Sequence, residues 1–154
     1  MAISIEDIKK LRSMTGAGLA DVKKALTEAE GDFDKAKDLL RERGLAIAAK
    51  RSDRETSNGC VLVKCVPGFA AMVAVKCETD FVAAGKDFIQ LTQDILDAAV
   101  AAKCKTLDEV KALKLVDGDD AATAVQHRSG ITGEKMEIDG YNFLEGDNIS
   151  VYDH

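Results

Sequence analysis

Three carboxylates, Asp80, Asp87 and Asp94, fall seven residues apart. That spacing lays them along one solvated helix face and does not oppose two of them as general acid and base. The four cysteines, Cys60, Cys65, Cys77 and Cys104, lack the paired C-x-x-C spacing of structural zinc and lack a disulfide framework. Three of them lie in apolar alternating stretches, which predicts buried, reduced thiols. His127 and His154 stand far apart with no catalytic setting, so a Cys-His nucleophile pair has no warrant. No Gly-rich phosphate loop of the Walker type occurs. The expectation is a protein without bond chemistry, metal, cofactor or small-molecule substrate. One segment stands out for a different reason. In Thr79-Asp80-Phe81-Val82 a phenylalanine follows an apolar run and precedes a helical pattern. A core role is the default for such a ring, but at a hairpin's end it can also act as a rigid wedge in a partner. Asp80 beside it can accept hydrogen bonds at a partner surface.

The rest of the composition narrows the partner class. With 154 residues, 46% hydrophobic and 31% charged, the chain can bury a core and remain soluble. A net charge of -6 opposes generic attraction to phosphate backbones, so direct nucleic-acid binding is not expected. No run of eighteen apolar residues exists, and the start MAISIEDIKK lacks a signal-peptide stretch. The expectation is a cytoplasmic protein that does not engage a membrane.

The elements that must position these residues fall into two groups. Ser4 can cap a first helix with Asp7, and Ile5, Ile8 and Leu11 line one face. Thr15-Gly16-Ala17-Gly18 interrupts it, and Leu19, Val22 and Leu26 mark the buried stripe of a second helix. Gly31-Asp32 ends that helix and caps a third, on which Phe33, Ala36 and Leu40 recur until Gly44 supplies a stop. These elements form a three-helix domain over residues 1–50, followed by a polar linker over 51–58. From residue 59 to 154 the period changes. Cys60–Val66, the turn Pro67-Gly68 and Phe69–Cys77 read as a β-hairpin of β-branched strands. Phe88, Leu91, Ile95, Leu96 and Ala99–Ala102 carry a long helix. Thr106-Leu107-Asp108-Glu109 opens a shorter helix through Leu113, and Asp119–Arg128 gives a weaker helical pattern. Met136–Ile138, Tyr141–Leu144 and, after the turn Glu145-Gly146-Asp147, Ile149–Tyr152 return to strand character. The class is α+β, a three-helix bundle followed by a core subdomain with antiparallel strands.

Two segments carry a specific resemblance. Met14-Thr15-Gly16-Ala17-Gly18-Leu19-Ala20-Asp21-Val22-Lys23-Lys24-Ala25-Leu26 and Cys77-Glu78-Thr79-Asp80-Phe81-Val82 resemble, in the same order, the two signatures of the elongation factor Ts family. The resemblance implies an N-terminal domain similar to ubiquitin-associated domains and the N-terminal part of the family core. It also implies a guanine-nucleotide exchange factor that binds elongation factor Tu in its GDP form. In that family the Thr79, Asp80, Phe81 and Val82 positions disturb the magnesium ion on the bound nucleotide. The positions Arg12, Leu19 and Ala20 would dock on the GTPase, with relatives often carrying methionines at the last two. Gly133–Ile138 and Leu144–His154 resemble the segment that leads to a histidine contact in relatives, which makes His154 a partner-binding candidate. Here Thr132 stands where relatives usually have isoleucine, and Asp139-Gly140 where a basic pair is common.

Family members normally continue into a second core repeat. The expectation is therefore a fragment or a naturally short member, with Ile149–Tyr152 as a strand whose edge is unpaired unless a partner or a second copy covers it. Two other classes compete. The helices alone are compatible with a ubiquitin- or peptide-binding module through Met14-Thr15-Gly16, but such a module leaves Thr79–Val82 unexplained. An enzyme has only the aspartate series in its favour.

Overall fold

A computed structural model describes residues 3–115 and 118–152, so His154 lies outside the described residues. The class is α+β, as the change of hydrophobic period predicts. The chain forms two compact units, Met1–Asp53 with Gln126–Gly133, and Arg54–Val125 with Glu134–His154.

The first unit is helical. Helix α1 (Ile5–Thr15) starts at Ser4, whose hydroxyl oxygen accepts the Asp7 N–H at 3.0 Å and donates to the Asp7 carboxylate at 2.7 Å. That exchange satisfies a donor that helix geometry leaves orphaned. It ends at Gly16 in the left-handed region, φ 65°, with the Gly16 N–H donating to the Arg12 carbonyl at 2.9 Å. Helix α2 (Leu19–Glu28) follows, and helix α3 (Phe33–Lys50) is capped by Asp32 accepting from the Lys35 N–H. Ile8, Leu11, Val22, Ala25, Leu26, Ala36 and Leu40 form the core of this unit. Ile5, expected on the buried face of α1, is 71% exposed, and Leu19, expected on the stripe of α2, is 47% exposed. Both open their helices, where no preceding turn covers them. Helix α3 also runs through Gly44 to Lys50, against the expected stop. Gly44 has no positive φ, and Ala46, Ala48 and Ala49 beyond it are strong helix formers that carry the helix on.

The second unit is a sheet with helices on one face. Strands β1 (Asn58–Val66) and β2 (Phe69–Cys77) form the expected hairpin about Pro67-Gly68, with Val66 opposite Phe69 and Asn58 opposite Cys77. Helix α4 (Asp80–Ala83), helix α5 (Lys86–Ala102), helix α6 (Leu107–Lys111) and helix α7 (Ala121–Thr132) follow. The last five residues of this unit before its interruption, from Ala121 to Val125, belong to α7. Strand β3 (Glu137–Glu145) then pairs antiparallel with β2, giving the order β1-β2-β3.

Alternation on β2 sends Phe69, Ala71, Val73, Val75 and Cys77 to one face. There they join Phe88, Ile95, Leu96, Ala99 and Val100 of α5 in the core. Thr92 is buried among them with its hydroxyl donated to the Phe88 carbonyl at 3.0 Å, so its polar group is satisfied. The opposite face carries Val61, Val63, Met72 and Leu144 to the surface.

Three expectations need correction in this unit. Met136–Ile138 and Tyr141–Leu144 are not separate strands, because a bulge between Ala74 and Val75 absorbs Asp139 and lets β3 run on through Gly140. Ile149–Tyr152 forms no strand; it touches the sheet through the Cys65 thiol of β1, which donates to the Ile149 carbonyl at 3.6 Å, and Tyr152 is 84% exposed. The aspartate series does not share one helix, because Asp80 lies on α4 while Asp87 and Asp94 lie on α5, beyond Gly85.

Candidate functional site: the Thr79–Val82 loop

The loop begins where β2 stops. Cys77 closes the strand, and its buried thiol donates to the Thr79 carbonyl at 3.2 Å. Burial, and then the nearby Glu134 carboxylate, push the Cys77 thiol above its ordinary range, which keeps it protonated and able to donate. Thr79 has extended backbone angles and caps α4, its hydroxyl oxygen accepting the Val82 N–H at 3.3 Å. A threonine suits both tasks, being at home at a strand end and able to supply the cap oxygen. Gly85 then opens α5 at close range, since a Cβ there would stand 3.1 Å from the Val82 carbonyl oxygen.

The four residues face different ways. Phe81 is 86% exposed and Asp80 is exposed beside it. Val82 is half-buried and packs against the sheet core together with Ala83. The loop therefore holds itself down by its valine and presents its aromatic ring to solvent. A phenylalanine loses the benefit of burying its whole side chain in this arrangement, roughly 1.5–3 kcal/mol. Among the described residues the ring is not part of either hydrophobic core.

What fixes the loop is a carboxylate from far along the chain. Glu134 Oε1 accepts the N–H groups of Glu78 at 3.1 Å and Thr79 at 2.9 Å, while Oε2 accepts the Thr79 hydroxyl at 2.7 Å. Glu78 answers with its own carboxylate, which accepts the Lys135 N–H at 2.6 Å and pairs with Arg54 at 3.2 Å. The Asn58 amide donates to the Glu78 carbonyl at 3.1 Å, and the Lys135 ammonium donates to the Arg54 carbonyl at 3.2 Å. Sequence reasoning assigned Glu134 no role. A single glutamate 55 residues from Thr79 gives no spacing signal of its own.

Thr79, Asp80, Phe81 and Val82 are thus brought together on one short, pinned segment. Arg12, on α1, and Leu19 and Ala20, in the first turn of α2, are exposed on the helical unit. The cysteines divide by position. Cys77 and Cys104 are buried, Cys60 is half-buried, and Cys65 is exposed because its place in β1 puts it on the outer face of the sheet. Burial is the main cause that raises the thiols of Cys60 and Cys104 above their ordinary range. Among the described residues no group of three His, Cys, Asp or Glu could hold a metal ion, and no helix is long and apolar enough to cross a membrane.

One exposed ring thus stands on a turn held by the Glu134 carboxylate. A family model described as elongation factor Ts matches residues 78–154, half of the chain, and begins one residue before Thr79. An elongation factor Ts of Bacteroides fragilis is 65% identical over all 154 residues, which cover 46% of that protein. Those of Bacteroides thetaiotaomicron and Porphyromonas gingivalis are 61% and 51% identical over the whole chain, covering 46% and 56% of their lengths. The chain belongs to the elongation factor Ts family, and it spans about half the length of the curated relatives it matches.

Proposed function

We propose that this chain is a guanine-nucleotide exchange factor of translation elongation, without bond chemistry. It binds elongation factor Tu in the GDP form and promotes GDP release by disturbing the magnesium site. The observation that carries this reading is the 86% exposure of Phe81 on a loop pinned by Glu134. A ring displayed at that cost, and held still before a partner arrives, supplies apolar area with little further loss of conformational freedom on binding. Asp80 accompanies it with an acceptor for donors at the partner surface.

Magnesium on a phosphate site demands near-ideal octahedral geometry, so a small displacement of the loops that supply its ligands weakens the ion and then the nucleotide. Linkage makes the effect reciprocal, because a factor that lowers nucleotide affinity is itself bound less tightly by the nucleotide form. Reversing a 99:1 population takes about 5.5 kcal/mol of differential affinity. One hot-spot side chain supplies about 2–4 kcal/mol. A second surface is needed, and the exposed Arg12, Leu19 and Ala20 of the helical unit are its candidates, with His154 a further contact in the same reading. Such a role belongs to the cytoplasm and calls for no direct nucleic acid, membrane or cofactor.

A ubiquitin- or peptide-binding module built on Met14-Thr15-Gly16 fits the helical unit less well. A Cβ at Gly16 would stand 2.5 Å from Ile131 Cγ1, so that turn is already covered by the segment Gln126–Gly133 of its own unit. The test is release of a fluorescent GDP analogue from elongation factor Tu with increasing concentrations of the chain. Accelerated release that depends on Phe81 is the expected result. No acceleration, or acceleration that Phe81→Ala leaves unchanged, would overturn the reading.

A further inference from the structure

Strand β2 ends its ladder with β3 where Lys76 faces Glu137, and beyond Cys77 the backbone N–H groups of Glu78 and Thr79 point at a side chain where a neighbouring strand would otherwise stand. Glu134 takes both on one oxygen and the Thr79 hydroxyl on the other. An ionised carboxylate only accepts, so all three donors are directed unambiguously. With its proton committed to Glu134, the Thr79 hydroxyl turns its lone pairs to the Val82 N–H and fixes the first turn of α4. Glu134 thereby reaches the orientation of Phe81 through Thr79.

We infer that Glu134 is a positioning residue for nucleotide exchange, holding the Thr79 cap so that Phe81 is presented in its working orientation. This rests on the exchange reading above. A positioning role makes a split prediction. The groups that dock are unchanged, so the concentration of chain giving half-maximal GDP release stays the same. The efficiency of the docked complex falls, so the plateau rate drops.

The experiment measures release of the fluorescent GDP analogue from elongation factor Tu, at saturating and graded chain concentrations, for five forms: wild type, Glu134→Gln, Thr79→Val, Thr79→Ser and Phe81→Ala. Glutamine keeps the size of Glu134 but presents an amide NH₂ to one of the three donors. Glu134→Gln should lower the plateau about tenfold, short of the roughly 100-fold that a 1 Å misplacement of a working group can cause, while half-saturation moves less than about twofold. Thr79→Val should match it, and Thr79→Ser, which restores the hydroxyl, should recover most of the wild-type plateau. Adding Glu134→Gln to Phe81→Ala should cost nothing more, because both act on the same ring. If Phe81→Ala is slow while Glu134→Gln and Thr79→Val release at the wild-type plateau, the positioning role falls and the exchange reading stands. A rise in half-saturation at an unchanged plateau would also overturn it. If the wild-type chain gives no acceleration, the exchange reading fails and takes the positioning role with it. Should Glu134→Gln not fold, the comparison of Thr79→Val with Thr79→Ser decides by the same criteria.

Discussion

Thr79 and Glu134 share two hydrogen bonds across 55 residues of sequence, the Thr79 N–H reaching one carboxylate oxygen at 2.9 Å and its hydroxyl reaching the other at 2.7 Å. Two donors on one residue fix both the backbone and the side chain of the cap. The four-residue helix α4 is too short to hold itself, since helix nucleation is unfavourable without outside support. Its shape is therefore borrowed from the β2 end and from Glu134.

Phe81→Ala separates contact from stability. The ring is exposed, so its loss should leave the thermal midpoint nearly unchanged, within about 0.5 kcal/mol of stability. Release of GDP from elongation factor Tu should slow by tenfold or more, the scale of a hot-spot truncation of about 2 kcal/mol or above. Circular dichroism and release kinetics on the same sample check both halves.

Gly16→Ala should weaken the helical unit. Gly16 has φ 65°, where an L side chain costs roughly 1–2 kcal/mol, and the new methyl would meet Ile131 Cγ1 at 2.5 Å. The combined loss should reach about 2 kcal/mol. In an Ile131→Ala background most of the steric part disappears, leaving the backbone part and the 3.3 Å approach to the His127 carbonyl oxygen. A thermal double-mutant cycle reads the difference.

Tyr141 should ionise late. Burial is the main cause that lifts its phenol from 10.0 to about 12, and its hydroxyl donates to the Cys104 carbonyl at 2.6 Å. The folded state holds the neutral form, so its contribution to stability is complete below about pH 10 and is lost as pH rises toward 12. Ultraviolet titration should show a phenolate appearing near pH 12 that is missing in Tyr141→Phe. That variant should lose about 1 kcal/mol, the net worth of one hydrogen bond.

Asp97 should titrate below the ordinary carboxylate range. The Lys64 ammonium donates to it at 2.8 Å, and that hydrogen bond is the largest cause of the shift. A depressed folded value gives stability that is present above about pH 4 and lost as pH falls through the folded value. Both side chains are two-fifths exposed or more, so the pair is worth only about 0.2–1 kcal/mol. In Lys64→Met, the Asp97 carboxyl followed by NMR should move back up toward its ordinary range.

Local chemistry was the legible part of this chain. Ser4, Asp32 and Thr106 read as helix caps from their neighbours alone, and each accepts the N–H three residues on. The hairpin about Pro67-Gly68 was equally plain from two β-branched runs. What failed depended on competition that a linear reading does not contain. Gly44 stops a helix only if the residues after it prefer to leave, and Ala46, Ala48 and Ala49 prefer to stay. Ile149–Tyr152 has strand composition, but a strand also needs backbone pairing along an edge, and this segment makes none with β1, β2 or β3. At the candidate site the exposed ring was suggested by its motif, whereas the carboxylate that holds it was invisible. Nothing in Gly133-Glu134-Lys135 announces which amides it will meet.

The sheet also has a history built into its order. Strands β1 and β2 meet across the short turn at Pro67-Gly68, but β3 reaches β2 only after all of α4 to α7 has been threaded. Short loops close readily and long ones slowly, so the hairpin and α5 are expected to assemble before β3 docks. Until it does, the central strand shows solvent an open row of peptide groups beside Val73 and Val75, a template for neighbouring molecules. Any shortened form of the chain ending before Glu137 keeps that template permanently and is the form that would aggregate.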